Sequence, residues 1–343
     1  MWQIENDTHF AAERTFTRAH DGAEVFVVAV RATFDVGADG EGVPRAEQLP
    51  PLFAPEFFGA PDDSSLRYDT DFVTEKPGTD IVAHATAYAP GGRPATTVPV
   101  MLSMGNWSTA IRVVGDRVWQ PAGRGLRPTA PVPFTSMAIA YERAWGGSCD
   151  ATNCRDEANP VGCGAFARAG ERVPNLEPLD RPITDAASAH RATAFGPVAS
   201  QWEPRRSFAG THDEAWRRTR APLRPVDFDL RATRCAPVSQ QLPDFVRGGE
   251  WITLTNLTES GHARWRVPYL DLVCHTRFRS TRQRHRGRIV TVCLEPDRAQ
   301  LTLTWVSELP CHHSLYELDE CRVVQLPRRV RADRREAAPV VAW

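Results

Sequence analysis

Ile289-Val290-Thr291-Val292-Cys293-Leu294, then Glu295-Pro296-Asp297-Arg298, then Gln300-Leu301-Thr302-Leu303-Thr304-Trp305 is the stretch whose reading decides the fold class. Its first arm is β-branched and apolar, and its middle is a polar segment with a proline. In the second arm Leu301, Leu303 and Trp305 alternate with Thr302 and Thr304. A period of two marks an extended chain with one face on a core, because successive side chains point to opposite sides. Two such arms across a short turn predict an antiparallel hairpin.

The same signature recurs toward both ends. Glu24 to Phe34 is apolar on both faces at its centre and suits a buried sandwich strand. Further strands are expected over Ile81 to Tyr88, Thr96 to Ser103, Ser108 to Val114 and Arg117 to Trp119, with Gly115-Asp116 as a hairpin turn between the last two. After the middle of the chain they return over Gly249 to Leu257, Ala263 to Val267 and Leu270 to His275. Residues 141–230 differ: they are rich in Gly, Pro and Asn, with one helical turn expected where Asp213 caps Glu214-Ala215-Trp216-Arg217-Arg218. A loop system this long is functional or disordered, and Trp145, Trp202 and Trp216 argue for order. The expectation is a mainly β protein with few short helices. Two antiparallel β-sandwich-like lobes, residues 1–140 and 231–327, are joined by a long ordered loop region, 141–230, and followed by a flexible basic tail, 328–343.

Composition excludes several classes. The 343 residues, 42% hydrophobic, suffice to bury a core without disulfide staples. With 41 basic and 42 acidic side chains the net charge of -1 gives no long-range attraction for polyanions, so no nucleic-acid partner is expected. No run of about 18 apolar residues predicts membrane insertion. Met1-Trp2-Gln3-Ile4-Glu5-Asn6-Asp7 lacks the features of a signal peptide, which points to the cytoplasm. Lysine occurs once, at Lys76, and every other basic residue is arginine.

Candidate chemistry is sparse. Cys149, Cys154 and Cys163 cluster, and Cys311 precedes His312 and His313. Zinc would need four such ligands, but the spacings lack the tight pairs of zinc ribbons, so reduced thiols without metal or cofactor are expected. Asp227-Phe228-Asp229 places two carboxylates at i and i+2, about 6–7 Å apart on one face of a strand. That would suit glycoside hydrolysis, while acidic residues near Pro222 and Pro225 also serve turns and caps. Gly210-Thr211-His212-Asp213-Glu214 sets a His beside carboxylates without a nucleophile elbow. Arg279-Ser280-Thr281-Arg282-Gln283-Arg284-His285-Arg286-Gly287-Arg288 reads as an exposed loop or as a dock for an acidic partner.

The middle section carries a further pattern. Asn159-Pro160-Val161-Gly162-Cys163-Gly164, Val173-Pro174-Asn175-Leu176-Glu177, Phe195-Gly196-Pro197, Trp202-Glu203-Pro204-Arg205, Gly210 to Trp216 and Pro222 to Phe228 follow in one order. Upstream stand Asn6-Asp7-Thr8-His9-Phe10-Ala11, Tyr68-Asp69-Thr70-Asp71, Lys76-Pro77-Gly78-Thr79-Asp80 and Tyr141 to Gly147; Leu254-Thr255-Asn256-Leu257 follows downstream. This series resembles the uncharacterised-domain proteins encoded beside VgrG spike and PAAR-tip proteins in bacterial type VI secretion loci, regarded as effector adaptors or chaperones. The resemblance implies a non-enzymatic role: binding a secreted effector and helping to load it onto the VgrG/PAAR spike. It implies no catalytic residue. Trp and Arg are enriched in interface hot spots, so Trp145, Trp202, Arg205, Arg206 and Trp216 are the candidate protein-binding residues, with core or loop-locking roles as the competing reading. The alternatives are a carbohydrate-active hydrolase using Asp227 and Asp229, and an immunity-like protein that neutralises a toxin.

Overall fold

Every side chain from Val25 to Phe34 is buried, so the strand Glu24–Val36 has no face to give to water and must lie inside a sheet covered on both sides. A computed structural model of the chain describes residues 3–188, 190–279, 281–311 and 318–326. In it Glu24–Val36 pairs antiparallel with Ala11–Arg18 on one side and with Gln300–Pro310 on the other. The sheet continues through Arg288–Glu295 to Asp80–Ala83, whose pairing is parallel, and Gly42–Pro44 adds to the end of the central strand. The hairpin expected at Ile289 to Trp305 is present. Its turn is a 3-10 segment, Pro296–Arg298, closed by Ala299 in a left-handed conformation.

Two further sheets pack on the same core. One runs in the order Leu176–Pro178, Trp107–Val114, Thr97–Met104, Trp251–Thr255 and His262–Arg266; the other in the order Gln3–Asp7, Leu318–Gln325, Leu272–Phe278 and Thr281–His285. Phe26, Val30 and Leu303 of the first sheet, Val100, Leu102 and Ile252 of the second, and Leu272, Cys274 and Val323 of the third share one apolar cluster. At roughly 1.5–3 kcal/mol per buried large apolar side chain, this cluster is the main stabilising element.

The mainly β class with few short helices holds: among the described residues the α-helices are Arg205–Phe208 and Glu214–Thr219. Among the described residues no helix is long and apolar enough to cross a membrane. The expected separation into lobes 1–140 and 231–327 differs from the observed pairing, because each large sheet combines strands from both ranges. Period-two patterning says which face of a strand is buried, not which strand lies beside it. Residues 328–343, expected as a tail, lie outside the described residues. Gly115-Asp116 is not a hairpin turn either: Trp119–Ala122 pairs with Gly125–Pro128, and a Cβ on Gly115 would lie 1.8 Å from the Val132 carbonyl oxygen.

The second face of the six-stranded sheet, expected to be polar and half-open on the Thr302 side, is also closed. Its cover combines two small apolar clusters, one of Val25, Val27, Ala29, Val290 and Val306 with Phe72 and Phe245 and one of Tyr68, Val82, Cys235 and Cys293, with a set of buried ion pairs. Asp80 accepts from Lys76 Nζ (2.8 Å), Arg234 Nη1 (2.9 Å) and the backbone N–H of Cys235 (2.7 Å), and Lys76 also donates to Thr291 Oγ1 (3.0 Å). Asp71 faces Arg31 at 3.5 Å, takes the Thr304 hydroxyl and accepts from the Leu52 N–H; Asp69 meets Arg205 Nη2 at 2.6 Å. Burial alone would raise Asp80, but Lys76, with Arg234 and the Cys235 N–H, holds its carboxyl below the usual range. Burial pushes Asp71 up against the pull of Arg31. Removing one partner of such a set leaves an uncompensated buried charge.

Lys76→Met is therefore expected to cost about 3–5 kcal/mol, read from the denaturant midpoint. Lys76→Arg should recover less than half of that loss, since the ammonium site is enclosed on all sides and a guanidinium is larger. A pH effect comes from His285, half-buried on Thr281–His285, whose Nδ1 meets Ser307 Oγ (2.5 Å) and whose Nε2 meets Thr276 Oγ1 (2.8 Å). Burial, with His275 nearby, pushes its pKa down to about 4. The unfolded chain thus binds the proton first, so this contribution is complete above about pH 6.5 and is lost as pH falls toward 4. His285→Gln should flatten the wild-type stability curve across that window, by roughly 3 kcal/mol at most.

Candidate protein-binding surface

The section 141–230 has few long strands; scattered backbone hydrogen bonds and short ladders hold it, and buried side chains take further carbonyls. Asn159 Nδ2 donates to the carbonyls of Tyr141 (2.8 Å) and Trp145 (3.0 Å), and Asn175 Nδ2 donates to that of Val114 (3.0 Å). Arg117 Nη2 donates to the Pro174 carbonyl (2.6 Å) and to Glu177 Oε1 (2.8 Å). Gly146, at φ 147°, lies so close to Asn159 that a Cβ would fall 2.1 Å from its carbonyl oxygen. These contacts fix the blocks Tyr141 to Gly147, Asn159 to Gly164 and Val173 to Glu177 to one another.

The five candidate binding residues divide sharply by position. Trp202 lies in the main core, edge-on to Tyr141 at 5.4 Å, and Trp145 fills a smaller cluster with Trp119, Val173 and Ile183. Arg205 is buried, paired with Asp69 and donating to the carbonyls of Val198 and Ala232. These three hold the fold, and the expectation that they face a partner is corrected: Trp and Arg also anchor interiors when a ring has a cluster or a guanidinium has a carboxylate. Arg206 and Trp216 do reach the surface. Arg206 bridges Glu157 (2.7 Å) and Glu203 (2.9 Å), which raises its pKa further. Trp216 is half-exposed on Glu214–Thr219, whose cap is Asp213 as expected; its Nε1 donates to the Leu223 carbonyl (2.8 Å) and its ring meets His212 at 4.6 Å.

Asp227 and Asp229 have other partners. Asp227 accepts from the N–H (3.0 Å) and hydroxyl (2.7 Å) of Thr211, which hold its pKa down; Asp229 caps the turn Leu230–Thr233 and pairs with Arg231, which lowers its pKa too. Neither has the raised pKa of a general acid. Cys149 and Cys154 stand opposite one another in a small hairpin, and Thr152, with Arg168 Nη2 at 3.7 Å, lowers the Cys149 thiol. Among the described residues no group of three or more His, Cys, Asp or Glu is placed to hold a metal ion; His312 and His313 lie outside them.

A feature that composition did not reveal is an open cleft of about 2180 Å³, where the sheet ending in Thr281–His285, the six-stranded sheet and the segment 244–250 meet. Arg247, Arg284, Arg286 and Arg288 line it above an apolar floor that includes Leu272 and Trp305. Three of these arginines belong to the run Arg279 to Arg288, expected as a loop. It is instead the edge strand Thr281–His285 and its exit, so the basic run was the available signal; Arg247 had none.

Trp202→Ala should lower stability by about 3–5 kcal/mol by leaving a cavity, whereas Arg206→Ala should change it by less than about 1 kcal/mol, both read from urea unfolding. No curated protein and no solved structure matches the chain. Residues 21–306 match the model of a family described as an uncharacterized protein conserved in bacteria, DUF2169, and the chain belongs to that family.

Proposed function

We propose that this chain is a non-enzymatic adaptor: it holds a secreted effector protein in the cytoplasm and helps to load it onto the VgrG and PAAR components of a type VI secretion spike. The ordered sequence blocks from Asn6 to Leu257 support the reading. The observation that carries it is the cleft. At about 2180 Å³ it is larger than the roughly 300–1,000 Å³ of a small-molecule site, and it presents guanidinium groups and apolar side chains together, the chemistry of a polypeptide seat. The walls are strands and a segment tied to them, so little ordering cost would be incurred on binding. Arg206 and Trp216 remain accessible as further contacts.

Affinity-tagged protein, produced in a bacterium with the secretion locus switched on, should recover both an effector and a spike protein; recovery of neither removes the reading. Deleting the gene should stop delivery of the effector and leave the attacker's own resistance unchanged. An attacker that becomes sensitive to its own toxin would instead assign the chain to toxin neutralisation.

A further inference from the structure

We propose that the cleft between the edge strand Thr281–His285 and the segment 244–250 takes an acidic, extended segment of the partner polypeptide. This rests on the adaptor reading above and names the chemistry of its partner.

The charge in the cleft is unevenly committed. Of its three acidic residues, Asp271 pairs with Arg286 (3.1 Å), Glu250 accepts the backbone N–H of Arg247 (2.9 Å), and Asp244 is exposed without an ion pair among the described residues. Arg288 lies over the ring of Phe245 at 4.7 Å. Among the described residues Arg247 and Arg284 are exposed and have no ion pair, and with four arginines against three carboxylates the lining keeps a net positive charge. The molecule as a whole carries a net charge of -1, so this positive character is local rather than general.

The shape selects an extended occupant. Leu270, Leu272, Ile289 and Trp305 close the base of the cleft but are themselves buried, so the apolar surface offered to an occupant is that of Phe245, Tyr269 and Leu326; a strand sends alternate side chains down and outward, which would set apolar groups on that surface and carboxylates toward the arginines. Thr281–His285 is the terminal strand of its sheet: it pairs with Leu272–Phe278 on one side and, among the described residues, with no strand on the other. Its free edge offers the main-chain donors and acceptors used when a peptide adds a strand to a sheet. Carboxylates on that peptide would meet guanidinium forks capable of bidentate bonding. The residues after Leu326 bring Arg328, Arg329, Arg331, Arg334 and Arg335 and so repeat the charge of the cleft instead of complementing it.

The test uses the full chain and a fluorescein-labelled peptide of five Glu-Val repeats, read by anisotropy, with a Lys-Val peptide of equal length and a ten-nucleotide oligothymidine as rivals. The acidic peptide should bind at least tenfold more tightly than the basic one, with affinity falling as salt rises. The double variant Arg247→Glu/Arg284→Glu should lose at least tenfold of that affinity at an unchanged unfolding midpoint, while Arg93→Glu, on an exposed loop after Pro90–Gly92, should retain it. Equal binding of the two peptides, unchanged binding by the double variant, or tighter binding of the oligonucleotide overturns the proposal. So does a tenfold gain on truncation after Leu326, which would give the cleft to the chain's own tail. The two readings fail separately: peptide binding without any partner recovered from cells sinks the secretion role alone, and partner recovery equal for wild type and double variant sinks the cleft alone.

Discussion

A strand buried on both faces cannot stand at the edge of a sheet, because its unpaired N–H and C=O groups would have no water to turn to. Glu24–Val36 is such a strand, and its second neighbour comes from the far end of the chain: register runs from Val25 opposite Pro310 to Asp35 opposite Gln300. The parallel addition of Asp80–Ala83 to Arg288–Glu295, and of Gln3–Asp7 to Leu318–Gln325, follows the same logic of distant partners. The ion pairs of Lys76, Asp80 and Arg234, with two small apolar clusters around Val27 and Cys293, then close the second face of the sheet. Apolar burial supplies most of the stability, while the charged lid, whose net gain over an apolar equivalent is small, restricts how the loops can sit.

The strands themselves were legible. Leu301, Leu303 and Trp305 announced their buried face by spacing, Glu24 to Phe34 announced its central place by lacking any polar side for most of its length, and Asp213 marked a helix start by its side chain. Their neighbours were not, since pairing is a property of two distant segments. The run Thr281 to His285 was missed because an edge strand held by one ladder needs no apolar alternation. Of the candidate residues Arg206 and Trp216 lie at the surface, whereas Trp145, Trp202 and Arg205 lie inside: a buried Arg is distinguishable from a surface one only through its carboxylate, and Asp69 lies in another block of the sequence.

Several polar side chains beside the irregular backbone turn out to have structural tasks. Asn159, Asn175 and Gln240 are wholly buried amides that stand in for strand partners: Gln240 Nε2 donates to the carbonyls of Ile81 (2.7 Å) and Phe195 (2.9 Å). Replacing a ladder by side-chain bonds of this kind lets irregular backbone be as fixed as a sheet, at the cost of tolerating few substitutions.

The pairing of Glu24–Val36 with Gln300–Pro310 also sets a clock during synthesis. At about 5–20 residues per second the ribosome needs roughly 15–55 s to pass from the first of these strands to the second. Throughout that interval a largely apolar segment has emerged with one edge lacking its partner strand, an invitation to aggregation of the kind that nascent-chain chaperones exist to prevent. Cooperative assembly of this sheet must wait until Gln300–Pro310 has emerged.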